Sequence, residues 1–200
     1  MEARRTASRA PSVVSVSSGK QVTTKIGRGA VPNRYTVFPE TLQQALRTYS
    51  EGGGSILISG SYIGTDAWDQ VFPVQVNETV RGKTRTFIQE VLGYKWVTNF
   101  GDVSGIIVPK NGAPIQLSDP MTYNRLFSEK IYRVENPDGI EPAGDKAHTF
   151  LRYAGTAIPA ATVYDSGKHR AVAFGFPLET LTTEGALDAV LRATMRYLMP

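Results

Sequence analysis

Apolar positions along this chain fall into short blocks separated by glycine and proline, and these blocks predict its elements. Leu42, Ala45, Leu46 and Tyr49 recur at helical spacing behind Pro39, which predicts a helix from Pro39 to Glu51 with that face inward. Gly52-Gly53-Gly54 stops it, and Ser55-Ile56-Leu57-Ile58-Ser59 follows at once. An unbroken apolar centre of that length predicts a central, buried parallel strand. Gly60-Ser61-Tyr62-Ile63-Gly64 then reads as a sharp elbow. Lys83 to Leu92 predicts a second helix, with Phe87, Val91 and Leu92 inward and Gly93 as its stop. Thr149–Tyr153, Ala160–Tyr164 and Arg170–Phe176 read as strands, the last two joined by the hairpin chemistry of Asp165-Ser166-Gly167-Lys168. A final helix is predicted over Glu184–Leu198, with Leu187, Val190, Leu191, Thr194 and Leu198 on its core face.

The remaining pattern is weaker. Val13–Ser17 alternates like a short strand, and Ser18–Pro32 reads as a loop. Residues 94–145 offer short strands near Lys95–Thr98 and Gly105–Val108 among several prolines, as an insertion or an elaborated sheet edge would. Helix, glycine turn, buried strand and elbow make half of a doubly wound unit. The expected fold is therefore an α/β domain over residues 13–200. Its sheet would be doubly wound and mostly parallel, closing with a β-hairpin and the C-terminal helix. Residues 1–12 are expected to be a disordered basic tail.

Composition changes this picture in three places. Two hundred residues with 41% hydrophobic content suffice for one domain with a sizeable core. The net charge of +4 would hint at nucleic acid, but residues 1–30 carry six basic residues against one acidic. The remaining 170 carry 16 against 17, so the basicity belongs to the tail and no nucleic-acid surface is expected of the fold. No apolar run reaches the roughly 18 residues of a spanning helix, and the first ten residues lack the apolar core of a signal peptide. The chain has no cysteine, which removes disulfides, thiolate nucleophiles and cysteine metal sites together.

The run from Gly53 to Asp66 resembles the glycine turn, strand and elbow of class I glutamine-amidotransferase-like domains. Arg152-Tyr153, and Ala171-Val172-Ala173-Phe174-Gly175-Phe176-Pro177-Leu178-Glu179, resemble that fold's closing strands and the loop after them. These segments are most similar to the C-terminal amidotransferase-like module of secreted Bacteroidota proteins of the xanthan lyase or golvesin-like type. The resemblance implies a flavodoxin-like fold, a secreted or periplasmic location, and neighbouring domains in a longer, carbohydrate-acting parent chain. It also implies lost chemistry. Tyr62 stands where the family has its elbow cysteine, and Phe176-Pro177-Leu178-Glu179 keeps the proline and glutamate without the histidine. Glutaminase chemistry needs the thiolate and its base, so a non-catalytic binding or structural module is expected.

Candidate site residues follow from the elbow. Ser59, Tyr62, Asp66, Trp68 and Glu179 are expected to form a ligand site at the carboxyl ends of the strands, where open α/β sheets gather their ligands. Aromatic rings beside carboxylates suit carbohydrate, by stacking and by hydrogen bonds to hydroxyls. The alternative is a hydrolase or polysaccharide lyase using Ser61, Asp66 and Glu179, for which a base is needed and only His148 and His169 exist. Arg152 is expected to pair with Glu179 or Asp66. Gly82-Lys83-Thr84 lacks the glycine and the leading strand of a phosphate loop. Asp138 and Glu141 have the wrong spacing for calcium and read as a rigid turn. No cofactor and no metal site is expected.

Overall fold

A computed structural model describes residues 12–18, 22–23, 33–34, 36–69 and 77–199. The expected tail and most of the Ser18–Pro32 loop lie outside these. In chain order the strands and helices are β1 (Val13–Ser18), β2 (Val22–Thr23), β3 (Asn33–Arg34), α1 (Glu40–Glu51), β4 (Ser55–Gly60), α2 (Thr65–Trp68), α3 (Glu78–Phe87), β5 (Tyr94–Thr98), β6 (Ile106–Pro109), β7 (Met121–Thr122), β8 (Gly139–Pro142), β9 (Ala147–Tyr153), β10 (Pro159–Asp165), β11 (Arg170–Phe174) and α4 (Glu184–Leu198). Seven strands form one sheet in the order β1-β4-β11-β10-β9-β6-β7, while β2-β3 and β5-β8 are separate two-stranded ribbons.

The doubly wound, mostly parallel sheet does not form. Among the described residues, only β1–β4 and β4–β11 pair in parallel. The β11–β10, β10–β9, β9–β6 and β6–β7 pairs are antiparallel. The physical reason lies in the connections. A parallel neighbour needs a crossover of a dozen or more residues, whereas β10 and β11 are joined by the Asp165–His169 turn, with Gly167 at φ 85°. The sheet is mixed and strands outnumber helices. This corrects the flavodoxin-like reading, and with it the amidotransferase-like and xanthan-lyase-type description that implied that fold.

Strand β4 is buried along its whole length and has a parallel neighbour on each side. It is second from the sheet edge, not central. Ile56 and Ile58 point to one face, with Ala171 and Ala173 of β11, Leu46 of α1 and Phe87 of α3. Leu57 points to the other, with Val172 and Phe174 of β11 and Val190 and Leu198 of α4. Each of the larger side chains among these, fully buried, contributes roughly 1.5–3 kcal/mol. Ala45, expected inward, is exposed, and Leu46 and Ser50 carry the buried stripe of α1.

Helix α3 begins five residues before the expected Lys83, because the Asn77 side chain accepts from the Thr79 and Val80 amides at 3.0 and 3.2 Å. Gly82-Lys83-Thr84 therefore lies inside a helix. The helix runs on into a π-turn (Ile88–Leu92) and stops at Gly93, which has φ 75°. Asn77→Ala should lower stability by about 1 kcal/mol in urea denaturation. An unchanged midpoint would mean that something else holds the helix start.

Strand β11 ends two residues earlier than expected. Gly175 still donates to Ala160 O at 2.8 Å, in register with β10, but its carbonyl is taken by the Asp138 amide at 2.7 Å. That exchange draws the 134–138 segment against the carboxyl ends of β4 and β11. Residues 94–145 include both the β6-β7 edge and the β5-β8 ribbon.

Candidate functional site

The elbow after β4 is held from a distance. Asp138 is fully buried. One carboxylate oxygen accepts from the Gly64 amide at 2.7 Å and the Thr65 amide at 3.2 Å. The other accepts from the Thr65 hydroxyl at 2.5 Å and the Trp96 indole at 3.2 Å. Tyr94 adds a bond to Ile63 O at 2.8 Å, and Tyr153 donates to Asp138 O at 2.8 Å. Gly64 admits no side chain, since a Cβ there would lie 2.7 Å from the Trp96 side chain. Burial pushes the Asp138 carboxyl up to about 7, and its four donors only partly oppose this.

Facing the elbow is the 124–136 loop, folded on one asparagine. The Asn124 side chain donates to Leu126 O at 2.9 Å and Ile131 O at 2.8 Å, and the Asn124 backbone carbonyl accepts from the Val134 amide at 2.9 Å. The Asn124 backbone amide donates to Thr180 O at 2.8 Å, which anchors the loop to the 3-10 turn after β11 (Leu178–Thr180). Arg125 reaches across to Val134 O at 2.6 Å.

Between loop and elbow lies a cleft of about 710 Å³, lined by Ser61, Tyr62, Phe127, Ser128, Tyr132, Arg133, Val134 and Glu135. Phe127 is 90% exposed at its rim. Arg133 pairs with Glu135. Tyr132 donates to Glu179 Oε1 at 2.8 Å. Burial raises the Tyr62 phenol, which also shares a hydrogen bond with the Asn136 side chain. Burial together with the Glu179 contact raises the Tyr132 phenol. Both rings thus stay neutral hydrogen-bonding groups at ordinary pH.

The expected site residues divide between places. Ser61 and Tyr62 line the cleft, and Glu179 joins it through Tyr132. Ser59 is buried within β4, in register with Ser17 and Phe174. Asp66 is buried on the α1–α3 side, where Oδ2 accepts from the Val37 amide at 3.1 Å. Trp68 packs against the same core cluster as Phe38 and Leu46. Ala67, next to Asp66, packs in that cluster, whereas Leu178, next to Glu179, packs in the other. Ser61 and Glu179 thus border the cleft, while Asp66 is buried with its carboxylate on the Val37 amide. His169 lies at the far end of β4, bonded to Ser166 and to Val91 O at 2.9 Å, while His148 is exposed on β9. Arg152 meets neither carboxylate and donates instead to Ala157 O at 3.1 Å, because β9 lies in the antiparallel half of the sheet.

No family model and no curated protein matches the chain. Among solved structures, one titled "mmIFT52 N-terminal domain" aligns at 12% identity and a TM-score of 0.45, covering 82% of this chain and 72% of that one. That likeness is too distant to carry an argument.

Phe127, Ser128, Tyr132, Arg133, Glu135 and Asp138 were not singled out for the cleft by sequence reasoning. One signal was present: Leu126-Phe127 and Ile131-Tyr132 are apolar pairs inside a stretch otherwise polar and proline-punctuated. Aromatic residues that a loop leaves exposed are candidates for recognition. Among the described residues, no group of three or more His, Asp or Glu side chains is placed to hold a metal ion, and no helix is long and apolar enough to cross a membrane.

Proposed function

We propose that this chain is a non-catalytic binding module that takes a neutral oligosaccharide in the cleft between the elbow and the 124–136 loop. One observation carries the reading: three aromatic rings, Tyr62, Phe127 and Tyr132, line the same cleft as Ser61, Ser128 and Glu135. Sugar rings offer an apolar C–H face and a rim of hydroxyls. The aromatic rings suit the first, and hydroxyls and carboxylates suit the second. Arg133 is engaged by Glu135, which favours a neutral ligand over an anionic one. A serine nucleophile needs a base within hydrogen-bond reach, and the placement of His148 and His169 weighs against the hydrolase or lyase alternative.

Tyr132 is the anchor, since its ring faces the cleft and its hydroxyl is already oriented by Glu179. One stacked ring contributes roughly 0.5–1.5 kcal/mol and one hydrogen bond a similar amount. Tyr132→Ala should therefore weaken binding about tenfold or more. The test is an array of neutral oligosaccharides probed with wild type and with Tyr132→Ala. Signals on glycans that fall in the variant support the reading, and no glycan signal for wild type would overturn it.

A further inference from the structure

The cleft of the proposed function has two walls, and one carboxylate joins them. Asp138 closes the segment that carries Tyr132, Val134 and Glu135, and its side chain reaches 74 residues back in sequence to the Gly64 amide. It also holds Thr65 by amide and hydroxyl, directly after the Ser61-Tyr62 wall. The backbone of Asp138 is fixed independently, by its bond to Gly175 O at 2.7 Å and by Tyr153. We propose that Asp138 is a proton-sensitive clasp that sets the spacing of the two cleft walls, so that the site is regulated by pH.

The chemistry follows from the four donors. An ionised carboxylate has acceptor capacity for all of them, and such charge-assisted bonds are the stronger kind. Adding a proton turns one oxygen into a donor, which the two amides and the indole cannot accept, so only the Thr65 hydroxyl can turn to take it and the bond set must rearrange. The bonds that remain lose their charge assistance, and the grip of the loop on the elbow loosens. Among the described residues no ion pair involves Asp138, so no cation holds it ionised. The titratable groups facing it are Tyr62 from the elbow, Tyr94 from β5 and Tyr153 from β9, all phenols raised by burial and all feeling its charge. None of them changes charge in the range where Asp138 titrates, near pH 7.

This inference rests on the cleft described for the proposed function, but its test needs no ligand. Amide and indole resonances of the ligand-free chain are followed by NMR from pH 5 to pH 9. The Trp96 indole and the Gly64 and Thr65 amides should titrate with one midpoint near 7, and Ser61, Tyr62, Val134 and Glu135 should move with the same midpoint. In Asp138→Asn the transition should vanish from all of them. Trp96→Phe removes one donor to the ionised form and should move the midpoint upward, which keeps the test available if Asp138→Asn does not fold. No transition in this range would overturn the clasp, and so would a transition confined to Trp96, Gly64 and Thr65 with both walls still. If both walls titrate together while no glycan binds, the oligosaccharide reading falls and the clasp stands.

Discussion

Replacing Asp138 by alanine should cost about 3 kcal/mol of stability near pH 5, where its carboxyl is neutral, one of the largest single-residue effects in this chain. The substitution strands the buried Gly64 and Thr65 amides and the Thr65 hydroxyl, and takes the acceptor from the part-buried Trp96 indole. Each unpaired buried donor costs roughly 1–3 kcal/mol, and above about pH 7 the loss shrinks because the substitution also removes a charge that is expensive to bury. The pH dependence of wild type has a definite sign. The folded carboxyl is raised from 3.8 to about 7, so its favourable contribution is complete below the lower value and is lost as pH rises through the upper one. Stability should fall between those values by up to about 1.4 kcal/mol per pH unit from this group, and Asp138→Asn should remove that slope. Urea midpoints across this range check it. A slope of the opposite sign that the Asn variant abolishes would contradict the assignment.

Gly175→Ala should be as damaging, for a steric reason. A Cβ at this position would lie 2.0 Å from the Asp138 carbonyl oxygen and 3.0 Å from its carbon. These are backbone atoms, fixed by the bonds that Gly175 makes to Asp138 and Ala160, so no side-chain rotation relieves the clash. Either the β10–β11 ladder or the 134–138 segment must shift, at a cost of at least about 3 kcal/mol. The shift should also open the cleft, because Val134 and Glu135 lie on that segment. Thermal unfolding compared with Gly185→Ala, where a Cβ meets nothing within 4 Å, isolates the effect. Equal losses in the two variants would sink the packing argument.

Legibility from sequence followed the range of the interactions involved. The buried strand at Ser55, the hairpin at Asp165 and the last helix were readable because periodicity and turn chemistry are local. Strand direction was not. Apolar runs at Ile56–Ile58 and Ala171–Phe174 report burial on both faces, which a mixed sheet provides as well as a parallel one. The elbow was legible as a turn, and Ser61 and Tyr62 do face the cleft. Its opposite wall was not, because the 124–136 loop owes its shape to Asn124 side-chain bonds two and seven residues along, which leave no periodic pattern, and to a backbone bond from Asn124 to Thr180. Asp138 read as a local turn because its partners are 73 and 74 residues away. Trp68 read as a stacking ring because an aromatic after an elbow looks the same whether it caps the core or lines a cleft.

The most direct test of the account is where a ligand lands. A neutral oligosaccharide chosen from the array is titrated into the isotope-labelled chain at pH 8, and shifted amides are mapped. The account predicts shifts at Ser61, Tyr62, Ser128, Tyr132 and Val134, absent in Tyr132→Ala and retained in Trp68→Ala. Shifts clustered at the Asp165–His169 hairpin, or affinity lost with Trp68 and kept without Tyr132, would contradict it.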